Sequence, residues 1–110
     1  HMDRKPDASL HIELATRGTY LGHDGAGRTK YFPDSVLVEL FSKIVSEGFG
    51  SQILLGSDVA RASRYVEYGG GPGLEYLGNT FIPKLIAATD EAQVKKVLTT
   101  NPQNWLAFSA

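Results

Sequence analysis

The sequence predicts an α/β fold built from parallel strands joined by helices, and three observations carry that reading. Amphipathic stretches alternate with short apolar runs in the order helix, strand, helix, strand, helices, which is the pattern of βα units. The run Ile53-Leu54-Leu55 is continuously apolar with no polar alternation, as a strand buried on both faces requires. Glycine-rich loops follow both strand-like segments, where α/β folds place their functional groups.

Pro6-Asp7 marks a helix entry with Asp7 as N-cap, and Leu10, Ile12, Leu14 and Ala15 supply an imperfect apolar face up to a stop at Arg17-Gly18. Thr19-Tyr20-Leu21 reads as a short strand, and Gly22 to Phe32 as a glycine-rich loop. Pro33-Asp34-Ser35 opens the next helix, which carries Val36, Leu37, Leu40, Phe41, Ile44 and Val45 at helical spacing and stops at Gly48. A buried strand over Gln52 to Leu55 ends at Gly56-Ser57-Asp58, and a long loop containing GGGPG runs from Val59 to Gly73. Leu74, Leu77, Phe81, Leu85 and Ile86 then read as helical, with Pro83 either kinking that helix or opening a new first turn. Asp90 caps a helix with Val94, Val97 and Leu98 inside, and Asn101-Pro102 starts a final short one carrying Trp105, Leu106 and Phe108. We expect one domain over residues 1–110, without repeats, low-complexity tracts or an internal boundary. Two strands, with a third at the first residues, are too little sheet for a closed α/β fold. A (β/α)₈ barrel takes about 250 residues, so the pattern reads as part of something larger.

The composition narrows the functions available. A 110-residue chain with 42% hydrophobic residues can bury a core. A formal net charge of −1 without runs of like charge argues against nucleic-acid or acidic-membrane partners. Cysteine is absent, which excludes a disulfide framework and thiolate metal sites; this suits a reducing compartment, and a cytoplasmic location is the expectation. No apolar run approaches the roughly 20 residues of a membrane span, and the start is not a signal peptide.

The segment Gly22 to Thr29, GHDGAGRT, has the outline of a phosphate-binding loop, with Arg28 in the lysine position and Thr29 as the hydroxyl. Such a loop runs directly into a helix whose N-terminus faces the phosphate. Here the helix signal begins only at Pro33-Asp34, and Asp24 would repel an anion. The glycines are better read as permitting a tight path at a strand end. Asp58, closing the apolar strand in ILLGSD, stands where barrel enzymes place a ligand or base. An aspartate alone at such a place serves a turn or cap as readily.

The blocks HMDRKPD, RGTYLGHDGAGRTKYFPD, ILLGSDVARASRYVEYGGGPGLEYLGNTFIPKL and LTTNPQNWLAF, in this order and covering nearly the whole chain, resemble the C-terminal part of the phosphotriesterase family of the amidohydrolase superfamily. That family includes phosphotriesterases, related lactonases and phosphotriesterase homology proteins. The resemblance implies strands six to eight, with their helices, of a (β/α)₈ TIM barrel holding two divalent metals, usually zinc. It implies His1 as the metal ligand ending strand six and Asp58 as the ligand and catalytic residue ending strand eight. His1 is read as native because Asp3-Arg4 and Pro6-Asp7 continue the family block. Asp24 and Arg28 fall in the seventh loop, and Val59, Arg61, Tyr65 and Tyr68 in the eighth, where the family lines its substrate pocket. His11, within the first helix, is expected at the surface or between helices, and His23 to be structural or solvated.

The implied chemistry is hydrolysis of ester, lactone or phosphotriester bonds by a metal-activated hydroxide, with Asp58 accepting the proton. In the bacterial phosphotriesterases a histidine in loop seven and an aspartate after strand six relay that proton. Gly25 and Arg4 stand in those places, which favours the lactonase or homology-protein branches. The remaining ligands belong to strands absent here. The alternative is therefore an inactive partial barrel that folds by self-association or by complementing its missing part.

Overall fold

The computed structural model describes residues 1–59, 61, 63, 67 and 70–107. Two strands form its sheet: β1 (Leu21–His23) and β2 (Ile53–Leu55) pair in parallel, with Leu21 opposite Ile53, Gly22 opposite Leu54 and His23 opposite Leu55. The ladder runs one step further, where the Gly56 N–H donates to the His23 carbonyl at 2.9 Å. This register sets the loops that leave β1 and β2 side by side.

Helices α1 (Ala8–Thr16) and α2 (Asp34–Ser46) precede and follow β1. Asp7 caps α1 by accepting from the Ser9 N–H, as its sequence position predicts. Gly18 at φ +85° and Gly48 at φ +90° end the two helices in the left-handed region. Helix α2 buries Leu37, Leu40, Phe41 and Ile44 along one face, over Leu21 and Ile53 of the sheet. Helices α3 (Ile82–Ala88), α4 (Glu91–Leu98) and α5 (Thr100–Leu106) complete the core with Leu85, Val94 and Val97. Pro83 stands in the first turn of α3, and the π turn Leu77–Phe81 leads into it. The proline therefore marks a new helix start.

Several expectations need correction. The first residues form a 3₁₀ turn, Met2–Arg4, not a third strand. Strand β1 begins two residues later than Thr19, because the Thr19 N–H donates to the Leu14 carbonyl and its own carbonyl accepts from the Gln52 amide. Both groups are thereby withdrawn from the ladder. Leu74 and Leu98 are exposed. The apolar face of α1 is displaced as well: its inward positions are His11 and Ala15, with Leu10 and Ile12 only half-buried. Asn101 does not open the last helix. It is buried inside it, and its amide donates to the Gly50 and Ile53 carbonyls at 2.8 Å each. That bond ties α5 to the start of β2.

Candidate metal-binding site

The parallel register brings three chain segments to one edge. Asp24 directly follows β1, Asp58 lies just beyond β2, and His1 precedes the 3₁₀ turn Met2–Arg4. Their side chains converge: His1 Nδ1 lies 2.7 Å from Asp24 Oδ2 and 3.8 Å from Asp58 Oδ2, and one ligand atom from each of the three falls within 4.8 Å of the others. All three remain open to solvent, His1 with about half its side chain exposed at 51%.

Asp58 adopts φ +49°, the one left-handed conformation outside glycine among the described residues. Aspartate tolerates this region better than most residues, and strained positions of this kind cluster at functional sites. Its carboxylate is gripped by Arg28, whose Nη1 lies 2.8 Å from Asp58 Oδ2 and whose Nη2 donates to the Asp58 carbonyl. Arg28 is buried, with 8% exposure. The guanidinium that the sequence offers as an anion anchor thus orients Asp58.

The donors suit a divalent metal. One imidazole and two carboxylates form a nitrogen and oxygen set that zinc accepts. Bonds of about 2.0–2.1 Å in tetrahedral geometry put ligand atoms about 3.3 Å apart, between the two separations seen here. Three residues are at hand where the sequence nominated His1 and Asp58 alone. Asp24, expected to contact either the substrate or a metal ligand, sits against His1.

The loop after β1 settles the phosphate-cradle question. Its N–H groups are already engaged: Gly25 donates to Asp3 Oδ2 at 2.7 Å, Gly27 to Asp34 Oδ1 at 2.9 Å, and Arg28 to the Gly25 carbonyl at 3.1 Å. Gly27 holds φ +78°, and a Cβ there would approach Pro72 at 2.9 Å and Tyr76 at 3.0 Å. The glycine is required by backbone shape and by close packing. Asp34 also accepts from the Tyr76 hydroxyl, and this bond pushes the phenol up to about 12. A cavity of about 230 Å³ opens between this loop and Gly71-Pro72, lined by Arg28, Thr29 and Lys30. Val59 is half-buried and Arg61 exposed; Tyr65 and Tyr68 lie outside the described residues.

Beneath the cluster the two remaining histidines are buried, His11 completely and His23 with 4% exposure. Of the two places expected for His11, at the surface or between helices, the surface is ruled out: His11 Nε2 lies 3.0 Å from the Met2 carbonyl and 2.9 Å from the Lys5 carbonyl, while Nδ1 lies 3.2 Å from His23 Nε2. Burial, with His11 alongside, pushes His23 down to about 3. Asp3, also buried, is raised above the ordinary carboxylate range by desolvation, and its Oδ1 has no partner among the described residues. Nothing in the residue pattern flags His11 or Asp3, since their partners are carbonyls and N–H groups of other segments.

Comparison with known proteins gives a consistent picture. The profile described as "Phosphotriesterase family" matches residues 1–106. The phosphotriesterase homology protein of Escherichia coli (strain K12) is 28% identical over 106 residues, covering 96% of this chain and 36% of that protein. A phospho-furanose lactonase of Mycoplasmopsis synoviae is 33% identical, covering 98% and 33%. Among solved structures, a lactonase from Listeria monocytogenes superposes with a TM-score of 0.92 at 37% identity, over 100% of this chain and 35% of the other. The chain spans about a third of the length of the curated relatives it matches. No helix among the described residues is long and apolar enough to cross a membrane.

Proposed function

The chain belongs to the phosphotriesterase family, and on that premise we propose that it is the C-terminal portion of a (β/α)₈ metal-dependent hydrolase, running from the end of strand six, at His1, through strands seven and eight, which are β1 and β2. Its substrates are lactones, carboxylic esters or phosphotriesters, and it acts with two divalent ions, zinc first among them. The observation that carries this reading is the convergence of His1, which precedes the turn Met2–Arg4, with Asp24 and Asp58, which lie just beyond the parallel strands β1 and β2. His1 and Asp58 are the ligands, and Asp24 is close enough to join them or to hold the His1 ring. Metal bound there would acidify water and polarise the scissile carbonyl or phosphoryl group.

The chain's own residues supply the rest. Asp58, oriented by Arg28, accepts the proton released as water attacks. Arg28 holds Asp58 by Oδ2, the same oxygen that lies 3.8 Å from His1 Nδ1. The cavity beside Arg28, Thr29 and Lys30 receives the substrate body.

The test is hydrolysis of a lactone, aryl ester and phosphotriester panel by the protein carrying this chain within its whole barrel, with zinc analysed in parallel. Wild type should hold about two ions and turn over at least one class, and Asp58→Asn should do neither. Full activity in Asp58→Asn would refute the assignment.

A second reading is favoured by one observation: the two-stranded sheet leaves the outer edges of both β1 and β2 unpaired among the described residues. Unpaired edges are templates for strand addition. Alone, the chain would then be inactive and would associate with itself or with the missing barrel. Light scattering that finds a stable monomer counts against it.

A further inference from the structure

The His11–His23 pair takes no part in the chemistry above, yet its geometry bears on the cluster. His11 Nε2 faces two carbonyl oxygens, those of Met2 and Lys5. Both can only accept, so Nε2 carries the proton. In the neutral ring Nδ1 is then a lone pair, and His23 Nε2 opposite it must be the donor. Each ring is fixed in its Nε2–H tautomer by the partner before it. The chain of bonds runs from β1, through the His23 and His11 rings, to the two carbonyls that bracket the turn Met2–Arg4.

We propose that His11 and His23 are positioning residues for the candidate metal centre, holding the His1-bearing turn at ligand distance from the strand end that carries Asp24. The chain neighbour of His23 is Asp24, and the carbonyl that His11 grips at Met2 is one residue from His1. The rings meet edge to face with centroids 5.1 Å apart, fully enclosed, so neither side chain can swing without displacing the other. Asp3 makes a second link between the same two segments through the Gly25 N–H. The turn contributes no long helix or strand that could place His1 by itself. Ligand spacing therefore depends on these side-chain links, as outer partners orient the ligands of many metal sites. This inference rests on the metal-centre reading given above.

The experiment measures Zn²⁺ affinity of the full chain by competition with a chromogenic chelator, beside the thermal midpoint of the metal-free protein. His11→Leu keeps the bulk and removes the donor, and zinc binding should weaken about 10- to 100-fold. His11→Gln, whose amide can still donate to the carbonyls, should recover most of that loss. A purely structural role would lower the midpoint while leaving affinity, measured well below the midpoint, at the wild-type value; that result overturns the proposal. Should His11→Leu fail to fold, His23→Phe leaves the His11 bonds to the turn but frees its ring, and a loss in the same direction is expected. Nitrogen NMR of the wild-type rings should find His11 and His23 as Nε2–H tautomers, and an Nδ1–H form of either refutes the bond chain. His1→Ala and Asp58→Asn separate the two ideas. If they weaken zinc binding and the His11 and His23 variants do not, only the positioning inference fails. If they too bind normally, the metal-centre reading fails and the inference falls with it.

Discussion

His1 and His23 both adjoin Asp24, His1 through its side chain and His23 along the chain, and they have opposite surroundings. His1 is half exposed, with two carboxylates at 2.7 Å and 3.8 Å. His23 is enclosed, faces another imidazole and is held neutral by burial. The upper edge of the sheet thus gathers an imidazole and two carboxylates that a cation can bridge, while in the layer beneath it the two histidines satisfy each other. The difference teaches that the edge can be remade for chemistry only because the layer below fixes the segments that carry it. Substitutions should therefore separate: those in the apolar core lower stability, those at the edge lower metal binding, and those at His11 and His23, which link the two, affect both.

The largest effect is expected below. Phe41 is buried in the face of α2 that covers the sheet. Phe41→Ala should cost about 3–5 kcal/mol, read as a lower denaturant midpoint. Zinc affinity of the molecules that remain folded should stay unchanged. A loss of affinity without a loss of stability would erase the distinction between the layers.

Asp58→Asn probes the edge. Residues that merely orient a ligand cost 10- to 100-fold in affinity, so losing a ligand should weaken zinc by on the order of 100-fold or more. Titration calorimetry or chelator competition reads this directly. The buried Arg28 also loses its charged partner, so stability should drop by about 1–3 kcal/mol. Wild-type zinc affinity would remove Asp58 from the ligand set.

Gly27→Ala joins the two regions. It forces a side chain into φ +78° and against Pro72 and Tyr76. A loss of about 1–3 kcal/mol is expected by chemical denaturation, together with weaker substrate binding, since the loop also carries Asp24 and Arg28. Wild-type stability would mean that the loop relaxes away from the Pro72 segment.

The fold was legible where a local rule decides the outcome. The Asp7 cap, the stops at Gly18 and Gly48, the apolar face of α2 and the strand Ile53–Leu55 each follow from residues near in sequence, although only Ile53 of that strand is fully buried. Asp58 was legible as a carboxylate ending a buried strand. The inward place of His11 was not, because a histidine is buried only when remote partners satisfy it, and those are carbonyls of a preceding turn and a ring on β1. Asn101 was misread as a helix opener for the same reason. Asp24 beside His1 depends on how the turn Met2–Arg4 packs onto the loop after β1, which periodicity does not encode.

The pH dependence of the buried pair tests the contrast between the histidines most directly. An unfolded histidine titrates near 6.5, whereas burial and the neighbouring imidazole push His23 in the folded chain down to about 3. Between these values the unfolded state binds the extra proton and the folded state does not. Stability therefore rises with pH across that window. The contribution is fully present above about pH 6.5 and is lost progressively as pH falls toward 3, by up to about 1.4 kcal/mol per pH unit. Denaturation midpoints of the metal-free chain, measured from pH 7 to pH 4, should fall with that slope on top of the carboxylate contributions. In His23→Phe the slope should be shallower by about one proton. Equal slopes in wild type and His23→Phe would mean that His23 is not held neutral, and the contrast between edge and buried layer would lose its electrostatic basis.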